Sequence, residues 1–197
     1  MSIGRKMKKP LHPIRRKKFV PAPPERTIIA TAENTTVLQL PPRNHPLYAL
    51  VGEISMRWSF LEELLDTGIG TLAGIDAEIT ACITAQMMGH APRCLTIIAL
   101  AHWRGMPDVE EATKKLMSKL FEVSELRNRA IHDRLLIETK NQKTFRNHRM
   151  AKGQLRYGLS EFDSKELERV LSIIEDRRKE CAGLVNLIRE QVYEDVE

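Results

Sequence analysis

Residues 46–74 read PLYALVGEISMRWSFLEELLDTGIGTLAG. Leu47, Leu50, Val51, Ile54, Trp58, Leu61, Leu65, Ile69 and Leu72 recur at steps of three and four. That spacing lines apolar side chains along one side of an α-helix. The stretch therefore predicts one long amphipathic helix, starting near Asn44–Pro46 and ending about Gly74. A stripe of this length has to be covered by other elements, so the fold is decided by what else in the chain carries a matching stripe.

Three more helical segments follow at once. Asp76 is placed to cap a second helix reaching about Met88, with Ile79, Ile83 and Met87 as its apolar side. A third, from Pro92 to Trp103, is apolar on most sides and is expected at the centre of the fold. Gly105 and Pro107 interrupt it. Asp108 is then placed to cap a fourth, with Val109, Ala112, Leu116, Leu120, Val123 and Ala130 in step as far as His132.

Beyond it, Leu135–Thr139 has strand character, and Gln154–Leu159 is the segment expected to pair with it across the polar loop 140–153. Asp163 and Glu166 have capping-box spacing at the start of a last helix. Its stripe is Leu167, Val170, Leu171, Ile174, Leu184, Leu187 and Ile188. The expected fold class is all-α: an antiparallel bundle of about five helices with one short β-hairpin before the last helix.

The charge is unevenly spread. The chain carries a net +5. Residues 1–26 alone hold +8, and the rest of the sequence is at −3. Prolines interleave with those basic clusters, and too little apolar surface is present to offset the entropy of ordering. Residues 1–44 are therefore expected to form a disordered basic tail, with a short extended piece at 27–30 or 36–40, and residues 45–197 the helical domain. A basic tail attracts phosphate backbones in a salt-dependent way, and equally serves as a solvated extension. No apolar run approaches the roughly 18 residues that span a bilayer, so no membrane contact is expected. Cys82, Cys94 and Cys181 are far apart with no CxxC pair, the pattern of a reduced, cytoplasmic protein.

The stretch Glu125-Leu-Arg-Asn-Arg-Ala-Ile-His132 carries the chemistry. Asn128 and His132 are four residues apart and share a helix face, with the long Arg127 side chain beside them. A planar cation grips phosphate oxygens, and an imidazole moves protons near neutral pH. The same cations also sit where a helix C-terminus favours positive charge, and Glu125–Arg129 is an ordinary i,i+4 pair. Between Lys140 and Arg156 lie Lys140, Lys143, Arg146, Arg149, Lys152 and Arg156 with no acidic residue. This basic loop is a candidate path for an RNA backbone, or a solvated hairpin. His90 and Cys94 lack a second pair to complete a zinc site, so no metal and no cofactor is expected. Trp58 and Phe60 are read as core. GxGxxG, Walker A, GxSxG and HExxH motifs are all missing.

An Arg followed by four residues and a His, with Asn directly after the Arg, at the end of a bundle helix, resembles the HEPN superfamily. The resemblance covers roughly residues 45–192. Arg127, Asn128 and His132 match the motif, and Glu62 matches an acidic position on the first helix. Some of the toxins in that superfamily extend the motif to HxY; here Arg134 stands at the Tyr position.

The resemblance implies a metal-independent endoribonuclease, a toxin or defence effector, acting as a homodimer with two motifs in one cleft. An antitoxin-like protein is then a possible partner. In that reading His132 and Glu62 join Arg127 and Asn128 as the catalytic set. The alternative is a non-catalytic helical interaction module that binds a nucleotide or RNA on the same surface.

Overall fold

The computed structural model describes residues 27–31, 34–151 and 155–194, with side chains described over 37–147 and 158–193. Among the described residues there are five helices: α1 Pro46–Ala73, α2 Ala77–Thr84, α3 His90–Arg104, α4 Pro107–His132 and α5 Lys165–Glu194. Five strands accompany them: β1 Thr27–Thr31, β2 Asn34–Gln39, β3 Arg134–Glu138, β4 Thr144–Ala151 and β5 Leu155–Glu161. The helical bundle expected from the periodicity is the main architecture.

The long α1 forms where its stripe predicts. His45 precedes it and accepts the Leu47 N–H at Nδ1, 3.3 Å away, while Pro46 opens the first turn where no N–H is needed. Gly74 closes it in the left-handed conformation (φ 68°), and the Ile75 N–H returns to the Gly70 carbonyl at 3.1 Å. Ile54, Trp58, Leu61, Leu65 and Leu72 are buried against α3, α4 and α5. The core continues through Ile97, Leu116, Leu120, Leu167, Ile174 and Ile188.

Several local expectations are corrected. Asp108 lies in the first turn of α4 rather than at its cap: Met106 is the cap residue, without a side-chain bond, and Pro107 opens the helix. The second helix stops at Thr84, not near Met88. It presents Thr80 and Thr84 to the bundle and leaves Ile79 and Ile83 exposed.

The reason is Gly70. A Cβ there would stand 2.5 Å from Thr80 Oγ1, so α2 approaches α1 through small and hydroxylated side chains. The third helix begins two residues earlier than expected, with Pro92 harmless in its first turn. It is one-sided rather than central, because Leu95 and Trp103 are exposed. Phe60 is also exposed, whereas Trp58 is core as expected.

The sheet is larger than a hairpin. Its strands run in the antiparallel order β1-β2-β3-β4-β5. β3 pairs with β4 (Leu135 with Arg146, Leu136 with Phe145), and β5 pairs with β4, not with β3. The segment expected to be a polar loop is thus mostly a central strand. Ladder hydrogen bonds on both edges hold β4 despite its polar side chains, as cross-strand context outweighs propensity.

On the other edge, β2 pairs with β3 at Leu38–Glu138 and Gln39–Ile137. Both β1 and β2 fall before the boundary drawn at residue 44. Residues 1–26 of the expected tail lie outside the described residues. Among the described residues no helix is long and apolar enough to cross a membrane.

Candidate functional site

Arg127, Asn128 and His132 occupy the last two turns of α4, which ends where Asp133 turns the chain into β3. The helix exists because Val109, Leu116, Leu120, Val123 and Ala130 are buried against the bundle. That anchoring turns Asn128 and His132 outward, and both are exposed. Arg127 is half-buried on the flank that meets α1.

There its guanidinium carbon lies 5.8 Å from the centre of the Trp58 ring. Its Nη1 donates to Asn128 Oδ1 at 2.9 Å, and its Nε is buried without a hydrogen-bond partner. The indole is fixed in turn, because Trp58 Nε1 donates to Glu62 Oε1 at 2.9 Å across one turn of α1. A cation over an indole face is attracted by the ring quadrupole, and more so as water is excluded.

Glu62, Trp58, Arg127 and Asn128 therefore form one connected group. Glu62 reaches the group through the indole. No bond joins His132 to Arg127 among the described residues; the imidazole stands one turn beyond Asn128 on the same face.

A second histidine borders this group. His90 opens α3, is only 6% exposed, and stands edge-on to both Trp58 (5.7 Å) and Phe121 (5.0 Å). Its Nε2 is buried without a hydrogen-bond partner, and burial pushes its pKa below the ordinary 6.5. The sequence offered no reason to connect residue 90 with residue 58. The Trp58–Glu62 pair, in contrast, has i,i+4 spacing that was open to reading.

The basic segment divides. Lys140 is exposed at the β3–β4 turn. Lys143 is paired with Glu161 at 3.0 Å. Arg146 serves the fold: its side chain is 12% exposed, its guanidinium lies 4.1 Å above the Phe162 ring, and it reaches Glu166 at 3.0 Å and Asp133 at 3.9 Å. Glu166, expected in a capping box, is instead Arg146's partner, while Asp163 Oδ1 accepts the Lys165 N–H at 3.0 Å. The side chains of Arg149, Lys152 and Arg156 lie outside the described residues.

Cavities among the described residues lie elsewhere. One of about 730 Å³ runs along α1 and α2, with Asp66, Arg93 and Arg104 among its lining. Another, of about 690 Å³, is bounded by His45, Lys143, Phe162 and Glu166. The third, of about 460 Å³, lies between α1 and α5 at Met56, Phe60 and Arg178. Neither Arg127, Asn128 nor His132 lines any of these three. Among the described residues no group of three or more His, Cys, Asp or Glu side chains is arranged to hold a metal ion.

Chemically, the α4 surface offers a guanidinium and an amide for an anion, and an accessible imidazole for proton transfer. Comparison with protein-family models, with curated proteins and with solved structures gives no match.

Proposed function

We propose that the chain is a metal-independent endoribonuclease of the HEPN type, acting through Arg127, Asn128 and His132. The observation that carries the reading is the Arg127 guanidinium held between the Trp58 indole and the Asn128 amide, on the helix that also bears the exposed imidazole of His132. Phosphodiester cleavage by the ribose needs a base for the 2′-OH, an acid for the leaving 5′-oxygen, and positive charge on the phosphorane. His132 takes the 2′-OH proton as the 2′-oxygen attacks phosphorus. The bond to the 5′-oxygen breaks, and that oxygen leaves with a proton from a second imidazole. Arg127 and Asn128 hold the non-bridging oxygens.

A two-fold dimer supplies the second His132, so the site is composite. The products are a 2′,3′-cyclic phosphate and a free 5′-OH. Glu62 acts at a distance, by fixing Trp58 beneath Arg127.

RNA incubated with the full chain in EDTA is the test. Cleavage that survives chelation and disappears in both His132→Ala and Arg127→Ala, with the helical circular dichroism unchanged, supports the mechanism. Full activity in either variant removes it. The second reading, a non-catalytic binding module, is favoured by the commitment of Arg127 Nη1 to Asn128 and by the burial of its Nε. Intact RNA in a stable complex with the protein decides for that reading.

A further inference from the structure

The face of α4 that carries Asn128 and His132 begins with an aromatic ring. Phe121 lies seven residues before Asn128 and eleven before His132. At 100° per residue these spacings return almost to the same direction, so the three side chains share one stripe. Phe121 is then roughly 10 Å along the helix axis from Asn128 and roughly 16 Å from His132. Glu125, between them, is engaged by a partner in the fold.

Phe121 is 51% exposed, yet one side of it is held. His90 meets it at 5.0 Å and 78°, and His90 is itself edge-on to Trp58 at 5.7 Å and 89°. Trp58 lies beneath Arg127. A row of rings thus runs from Phe121 to the guanidinium, contributed by α4, α3, α1 and α4 again. The brace has a cost, since His90 keeps a buried Nε2 without a hydrogen-bond partner. What the brace achieves is a phenyl ring fixed on one side, with about half of its surface open to solvent.

We propose that Phe121 is a stacking platform for a nucleobase of single-stranded RNA whose backbone passes Arg127, Asn128 and His132. This rests on the nuclease reading for the choice of ligand. Unpaired bases splay out and stack on aromatic side chains, and such stacking tolerates any sequence because every base has a π-face. Duplex RNA keeps its bases stacked internally and has none to offer. Phe121 thereby confers preference for single strands.

The test uses the full chain carrying His132→Ala, so that RNA is bound without being cut, and a labelled single-stranded oligonucleotide scanned with one abasic nucleotide at a time. Phe121→Ala weakens binding of the intact oligonucleotide about 10-fold, and Phe121→Trp restores it. The parent loses affinity when the abasic position reaches the platform, whereas Phe121→Ala is indifferent to that position. Equal affinity and equal abasic sensitivity in parent and Phe121→Ala, with both folded by circular dichroism, overturn the proposal.

The two readings fail separately. Abasic sensitivity that depends on Phe121 in a protein that never cuts RNA upholds the platform and removes the nuclease. Cleavage by a wild-type chain whose Phe121→Ala variant binds unchanged removes the platform alone. A chain that neither binds nor cuts single-stranded RNA removes both.

Discussion

Arg93 Nε donates to Asp66 Oδ1 at 2.7 Å, and its Nη2 reaches Asp66 Oδ2 at 3.3 Å. The same guanidinium gives Nη1 to the carbonyls of Met87 and Gly89 and Nη2 to that of Thr84. One buried cation thus joins α1, the end of α2, the α2–α3 connection and α3. The Arg93 side chain is 9% exposed and that of Asp66 23%, so removing the arginine leaves a partly buried acid and three carbonyls without their donor. Arg93→Ala is expected to cost about 3 kcal/mol of stability, seen as a lower urea midpoint. A midpoint equal to wild type would show that the pair holds nothing together.

His90 makes stability depend on pH. Burial lowers its pKa from 6.5, so below that value the unfolded chain takes up a proton that the folded chain refuses. The contribution is fully present above the unfolded value. It declines as pH falls below 6.5, and stops declining only once the folded imidazole protonates. His90→Phe keeps a ring between Trp58 and Phe121 and should flatten that part of the acid limb. Urea melts at a series of pH values check this; a difference from wild type that does not vary with pH contradicts it.

Gly70 sets the approach of α2 to α1. Gly70→Ala brings a Cβ to within 2.5 Å of Thr80 Oγ1 and 3.3 Å of Thr80 Cγ2, so the Thr80 side chain or one of the two helices has to shift. The expected loss is about 2 kcal/mol, as for other overpacked interfaces. Adding Thr80→Ala should recover much of it, and a double-mutant cycle of thermal midpoints measures the recovery. Additive losses would place the strain elsewhere.

Arg146 is expected to behave as a structural residue rather than as part of an RNA path. Arg146→Ala removes the cation over Phe162 and leaves Asp133 and Glu166 without it, for a loss of about 1–2 kcal/mol. The exposed partner Glu166 contributes little of that, because solvent screens it. The check is a thermal midpoint beside an RNA-binding curve. Wild-type stability with weakened, less salt-dependent RNA binding would return Arg146 to the nucleic-acid surface.

Much of the fold was legible because burial in a helix leaves a period. The stripes from Leu47 to Leu72 and from Leu167 to Ile188 announce two long helices with faces to bury, and the structure packs α1 and α5 against each other. The strand pairing was hidden, since β4 carries Arg146, Asn147, His148 and Arg149, and nothing in such a segment separates a loop from a strand held on both edges. Ile79 and Ile83 misled for the opposite reason: their spacing indicates a helix face, but the close approach permitted by Gly70 decides which face turns inward.

By itself the sequence determined that α4 carries Arg127, Asn128 and His132 near its end, because helical spacing is local and follows from residue number alone. It also determined that Trp58 and Glu62 are one turn apart. Only the tertiary structure decided that Arg127 lies over Trp58, that His90 is wedged between Trp58 and Phe121, and that Arg146 is drawn to Glu166. Those meetings join residues from 20 to 69 positions apart. They depend on how close the helices come and at what rotation, which the packed core settles as a whole and no short stretch of chain encodes.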